Sequence, residues 1–194
     1  MPERIAPMQP PYSDDVDAAL TRMMPAGVAP IGLFRLFVRN LPMADAMHVW
    51  GEYELGRQLS LPLREREIVI DRTCARCGCE YEWGVHTLVF AEKAGLTRDQ
   101  VTSLVHGGPA DPCWSVTRET LLITAIDALH ETSDIDDALW ARLAATFDER
   151  QLLDLLLLSG WYHAIAFAAR VVRLPLEPGA PRFTDFALGY GVAG

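Results

Sequence analysis

Residues 61–97, LPLREREIVIDRTCARCGCEYEWGVHTLVFAEKAGLT, read as two consecutive helices with three cysteines crowded where they meet. The first, over 61–77, sets Leu63, Ile68, Val69 and Ile70 inward at helical spacing. The second, over 80–95, closes on Gly95, a residue suited to a helix stop. If the two pack as an antiparallel hairpin, they can bring side chains of both helices to one site. The stretch therefore predicts two successive helices in an all-helical chain.

Working outward, the same periodicity continues. Upstream, Ser13 is placed to cap a helix through Met24, "PIGLFRLFVRN" (30–40) gives a short second helix, and 42–58 a third with Pro42 in its first turn. Downstream, Thr97 with Gln100 has capping-box spacing, "HGGPADP" is a loop, and helices are expected over about 115–131, 134–146 and 148–173. No strand is expected. The chain is read as an N-terminal arm (1–12), one helical domain (13–175) and an extended C-terminal arm (176–194). "REIVIDR" from Arg66 is echoed by "RQLLDLL" from Arg150, which is either a duplicated core or two similar amphipathic helices.

The bulk numbers narrow the function. A net charge of −9 with singly scattered basic residues argues against nucleic acid and against an anionic membrane surface. The most apolar run, 155–169, is short for a bilayer and contains His163, so it reads as a core helix. The start lacks an apolar signal region, and clustered cysteines in an acidic chain suit free thiols, so a cytoplasmic location is expected.

On a helix begun at Cys79, the side chains of Cys79, Glu82 and His86 share one stripe. Cys79 and His86 stand about 10 Å apart along the axis, so Glu82 is the intrahelical partner of His86. Glu67, on the preceding helix, can face the same pair. A carboxylate beside imidazole favours the imidazolium and makes a proton-transfer couple. The plainer reading is a surface Glu–His pair beside a small buried cysteine. Zinc held by Cys74, Cys77, Cys79 and His86 is disfavoured, because structural zinc draws on two separated pairs. No metal and no cofactor is expected. Cys113, His48, His106 and His130 form no evident constellation, and His163 reads as a core histidine.

The 61–97 block, with "LTRMMPAGVAPIGLFRLF" upstream and "DERQLLDLLLLSGWYHAIAF" downstream, resembles the carboxymuconolactone decarboxylase and alkylhydroperoxidase D-like superfamily. The resemblance covers roughly residues 3 to 175. It implies an all-helical fold around a hairpin, a small-molecule substrate and a homo-oligomer. The peroxidase branch carries a glutamate, then a Cys-x-x-Cys twelve residues on, then a histidine four residues after the second cysteine. Glu67, Cys79 and His86 match, while Glu82 stands where the attacking cysteine would be. The decarboxylase branch lacks the dithiol, has a Glu-x-x-x-His matched by Glu82 and His86, and needs no cofactor. The resemblance thus implies catalytic roles for Glu67, Cys79, Glu82 and His86. Cofactor-free acid–base chemistry on a small carboxylate or lactone is the leading expectation. A thiol-dependent hydroperoxidase using Cys79 and a non-catalytic helical oligomer are the alternatives.

Overall fold

The computed structural model describes residues 2–187. Among them are nine α-helices, one short 3-10 helix and no strand, which is the all-α bundle expected. Three helices form the N-terminal layer: α1 (Asp14–Met23), α2 (Gly32–Phe37) and α3 (Leu41–Leu55). The hairpin is α4 (Leu63–Arg76) and α5 (Glu80–Phe90). After α6 (Arg98–His106) come α7 (Thr117–Thr132), α8 (Asp137–Ala144) and the long α9 (Glu149–Val172).

α4 is the axis of the bundle, in contact with α5, α6, α7 and α9. It is buried on every side from Arg66 to Cys74, including four charged residues. Ile68, Val69 and Ile70 are fully buried as expected. Leu63 is 36% exposed, because it opens the helix before the neighbouring elements close around it. The charges are tolerated because most are paired: Arg72 makes two 2.8 Å bonds to Asp127, and Arg66 holds Glu67.

The hairpin turn is a helix stop built on Gly78, whose φ is +62°. The Gly78 N–H donates to Ala75 O (2.9 Å) and the Cys79 N–H to Cys74 O (2.8 Å), the paired bonds of a Schellman motif. That reversal carries Cys77 and Cys79 into different environments. α5 ends at Phe90, five residues before Gly95; the glycine, with φ +65°, closes the turn that follows. The Thr97–Gln100 capping box forms as expected, whereas Ser13 sits at its N-cap position without a side-chain bond.

α9 is one unbroken helix across the residues that the Arg66/Arg150 echo aligns with α4, its turn and α5. The echo therefore pairs a continuous helix with a broken one. By length and hydropathy α9 is sufficient to cross a membrane, but half of that apolar window is buried inside the bundle.

The N-terminal arm is pinned: Arg4 N–H donates to Val172 O and Met8 N–H to Arg35 O, both at 2.9 Å. The C-terminal segment is extended only as far as a 3-10 helix at Phe183–Phe186. There Phe183 and Phe186 pack on the fully buried Trp83 ring, at 4.9 and 5.5 Å between centroids. The rest of the expected extended arm, 188–194, lies outside the described residues.

Candidate active site

Glu67, Asp71 and Cys74 line one face of α4 at spacings of four and three residues, and α5 supplies Cys79, Glu82 and His86. Packing the two helices side by side brings Glu67 Oε2 to 2.8 Å from His86 Nδ1. The other glutamate oxygen accepts from Arg66 Nε at 2.7 Å. From α9, the Tyr162 hydroxyl lies 3.0 Å from His86 Nε2. Glu82 Oε1 is farther from Nε2, at 3.6 Å, and Glu82 Oε2 is buried with no hydrogen-bond partner. The first partner of His86 is thus Glu67, across the hairpin, and Glu82 is secondary. An i, i+4 pair shares a face, but the interhelical contact offers the shorter approach.

The electrostatics follow from this geometry. Burial alone would push His86 down; the charge and hydrogen bond of Glu67, then Glu82, outweigh it and hold the imidazole at about 10. At neutral pH His86 is an imidazolium donating from both ring nitrogens. Asp71 is fully buried without a partner, and burial reinforced by the Glu67 charge raises it well above the carboxylate range, so it stays protonated. Burial pushes the Cys79 thiol up to about 12, with the Glu82 charge adding to the shift. Cys74 is raised too, by burial and then by Cys79, Glu82 and Asp71. Neither is a thiolate at neutral pH.

All four expected residues are buried in this region, yet direct bonds join only Glu67 and His86, with Glu82 at the edge. Cys79 makes no side-chain bond to His86 among the described contacts. Sequence reasoning missed Tyr162, which lies 76 residues from His86 on a helix where nothing in the spacing marks it. It also missed Asp71, for which the carboxylate ending an unbroken Ile-Val-Ile run was a usable signal. The arginines near the block are already engaged: Arg64 with Glu119, Arg66 with Glu67, Arg72 with Asp127 and Arg76 with Glu131.

The structure also corrects the reading of His130 and His163. They meet at 3.1 Å beside Cys77, away from the Glu67–His86 network. The four-ligand set Cys74, Cys77, Cys79 and His86 does not assemble, because Cys77 faces this second cluster.

Residues 44–125 match the model of the carboxymuconolactone decarboxylase family, a span that contains the hairpin and its buried stripe. The matched span is 82 of the 194 residues, so the similarity to the carboxymuconolactone decarboxylase family lies in the central part of the chain. The fold of this chain is shared by the crystal structure of an uncharacterized peroxidase-related protein from Silicibacter sp. TM1040. The TM-score is 0.78 over 94% of this chain and 97% of the other, at 15% identity. At that identity the likeness is one of fold. No curated protein matches the chain.

Proposed function

We propose that this protein is a carboxymuconolactone decarboxylase-like, cofactor-free acid–base enzyme that decarboxylates, or moves a proton on, a small carboxylate or lactone. The observation that supports the reading is His86, a buried imidazolium gripped by Glu67 at 2.8 Å and facing Tyr162 and the half-unpartnered Glu82. In decarboxylation the bond to the carboxylate carbon breaks and its electron pair passes into an enolate. His86 donates a proton to that enolate, carbon dioxide leaves, and solvent restores the proton through Glu82 or Tyr162. Glu67 holds the ring and keeps it charged.

Peroxide reduction by Cys79 receives less support. Its thiol is pushed to about 12, and Glu82 occupies the place of the attacking cysteine. A second reading, a non-catalytic helical oligomer with a buried polar network, is favoured by one observation: His86 is 3% exposed, and neither described cavity includes it. A substrate must open the packing above His86, which restricts the candidates to small molecules. The four free cysteines suit a reducing compartment, in keeping with a cytoplasmic enzyme.

The deciding experiment screens small lactones and β-keto acids for carbon dioxide release and for solvent deuterium entering the adjacent carbon. Glu82→Gln and His86→Ala should each reduce turnover by about 100-fold or more. Turnover unchanged in both variants refutes the assignment. A correctly folded wild type that turns over nothing in the panel supports the non-catalytic reading.

A further inference from the structure

The cluster at Cys77 lies outside the Glu67–His86 network and has a different chemistry. Cys77 caps the end of α4, His130 lies in the last turn of α7, and His163 is in the middle of α9. One ligand atom from each falls within 4.8 Å of the other two. We propose that Cys77, His130 and His163 form a binding site for a divalent transition metal, zinc by the nature of its donors, with the fourth position open to the adjacent cavity.

The geometry is close to that required. A tetrahedral zinc with bonds of about 2.3 Å to sulfur and about 2.05 Å to nitrogen places its nitrogens about 3.3 Å apart and sulfur about 3.6 Å from each nitrogen. Here His130 Nδ1 and His163 Nε2 are 3.1 Å apart, and Cys77 Sγ is 3.9 Å from His130 Nδ1. Those two separations need shifts of a few tenths of an ångström; the third, from Cys77 Sγ to His163, lies within 4.8 Å and closes with a side-chain movement of up to about 1 Å. The tautomer of His163 is already set: its Nδ1 N–H donates to Ser159 O at 2.9 Å, which leaves the Nε2 lone pair aimed at the cluster. A backbone carbonyl orienting the distal ring nitrogen is the usual outer support of a metal-bound histidine.

The site is reachable. It forms part of the wall of an open cavity of about 630 Å³ that also presents Arg76, Arg170 and Phe167. One thiolate and two neutral imidazoles leave a divalent ion with one net positive charge; Arg170 adds to it, whereas Arg76 is paired with Glu131 and Asp127. The fourth ligand should therefore be a water that ionises readily or a small anion such as a carboxylate. Three protein ligands with an open position is the pattern of reactive rather than structural zinc. Cys74 and Cys79 take no part, being buried on the Glu82 side.

The test is titration of metal-free, reduced full-length protein with cobalt and then zinc, read by absorbance and calorimetry. Cobalt should bind at one ion per chain, with thiolate-to-cobalt charge transfer and the intense visible bands of a tetrahedral site. Zinc should displace it with a Kd below about 1 µM, releasing the Cys77 proton. Cys77→Ser should abolish the charge-transfer band, and His163→Gln should weaken zinc binding by at least about a hundredfold. Cys113→Ser and His106→Ala should change neither. Circular dichroism of each variant separates loss of ligand from loss of fold. A wild type that gives no thiolate band, or zinc affinity unchanged by both Cys77→Ser and His163→Gln, overturns the proposal. None of these readouts depends on turnover at His86.

Discussion

Replacing Glu67 by Gln keeps the shape of the side chain and removes the charge that holds His86 protonated. His86 stands at about 10 in the fold against an ordinary value of 6.5. A group raised on folding stabilises fully below its unfolded value, and that contribution fades as pH climbs through the folded value. In the wild type this window runs from about pH 6.5 to about 10. At pH 7 the ring lies three pH units below its folded value; at 1.36 kcal/mol per unit, the protonated network contributes about 4 kcal/mol. Without the Glu67 charge, burial dominates and the imidazole falls toward or below its ordinary value. The ring escapes by shedding its proton, so the loss at pH 7 is capped near that same 4 kcal/mol. Urea unfolding of both proteins from pH 6 to 10 should therefore show a gap that is widest near neutrality and narrows toward pH 10. In parallel, the His86 ring resonance should titrate near 10 in the wild type and well below in the variant. A wild-type His86 titrating at or below 6.5, or a gap that does not change with pH, would refute the reasoning.

Asp71→Asn should stabilise the protein at neutral pH. The buried carboxyl is raised on folding, so its contribution is lost as pH rises above 3.8, by about 1.4 kcal/mol per pH unit until its folded value is reached. Denaturation curves should coincide near pH 4 and separate by pH 7; a variant weaker than wild type at pH 7 contradicts a neutral Asp71. A slight excess of alkyl hydroperoxide, applied briefly to the metal-free protein, should leave Cys74 and Cys79 unmodified by peptide mass, because both are buried and protonated. Rapid loss of two thiols, abolished by Cys79→Ser, would restore the peroxidase reading. The outer face of α9 exposes Leu153, Leu157, Phe167 and Val171, which with Gly160 and Ala164 repeat at alternating spacings of four and three. That spacing fits the seam of a helix pair; if two copies pair through it, sedimentation should find a homo-oligomer that Leu157→Glu with Phe167→Glu dissociates, and a monomeric wild type would end the idea.

Much of the scaffold was legible because it is written in local rules. The capping box at Thr97 and Gln100 acts within one turn, and the apolar run Ile68-Val69-Ile70 can only be buried. The cross-hairpin approach of Glu67 to His86 was within reach for the same reason, since a short turn fixes which faces meet. The point where α5 stops was not legible: Gly95 is a good terminator, but the chain leaves the helix five residues earlier and uses the glycine in the following turn. Leu63 was misplaced because periodicity says which face a residue takes, not how far along the helix the cover extends.

By itself, the sequence determined the all-helical fold, the hairpin and the stripe of Cys79, Glu82 and His86, all consequences of spacing along single helices. Only the tertiary structure decided who bonds to whom. Tyr162 reaches His86, and His163 reaches His130 beside Cys77, because α9 packs against both helices of the hairpin and successive residues of a helix point to different sides. Burial, likewise a property of the assembled bundle, decided that Asp71 and the two inner thiols hold their protons while His86 keeps its charge. Desolvation depends on what surrounds a group in three dimensions, and no periodicity along a chain encodes it.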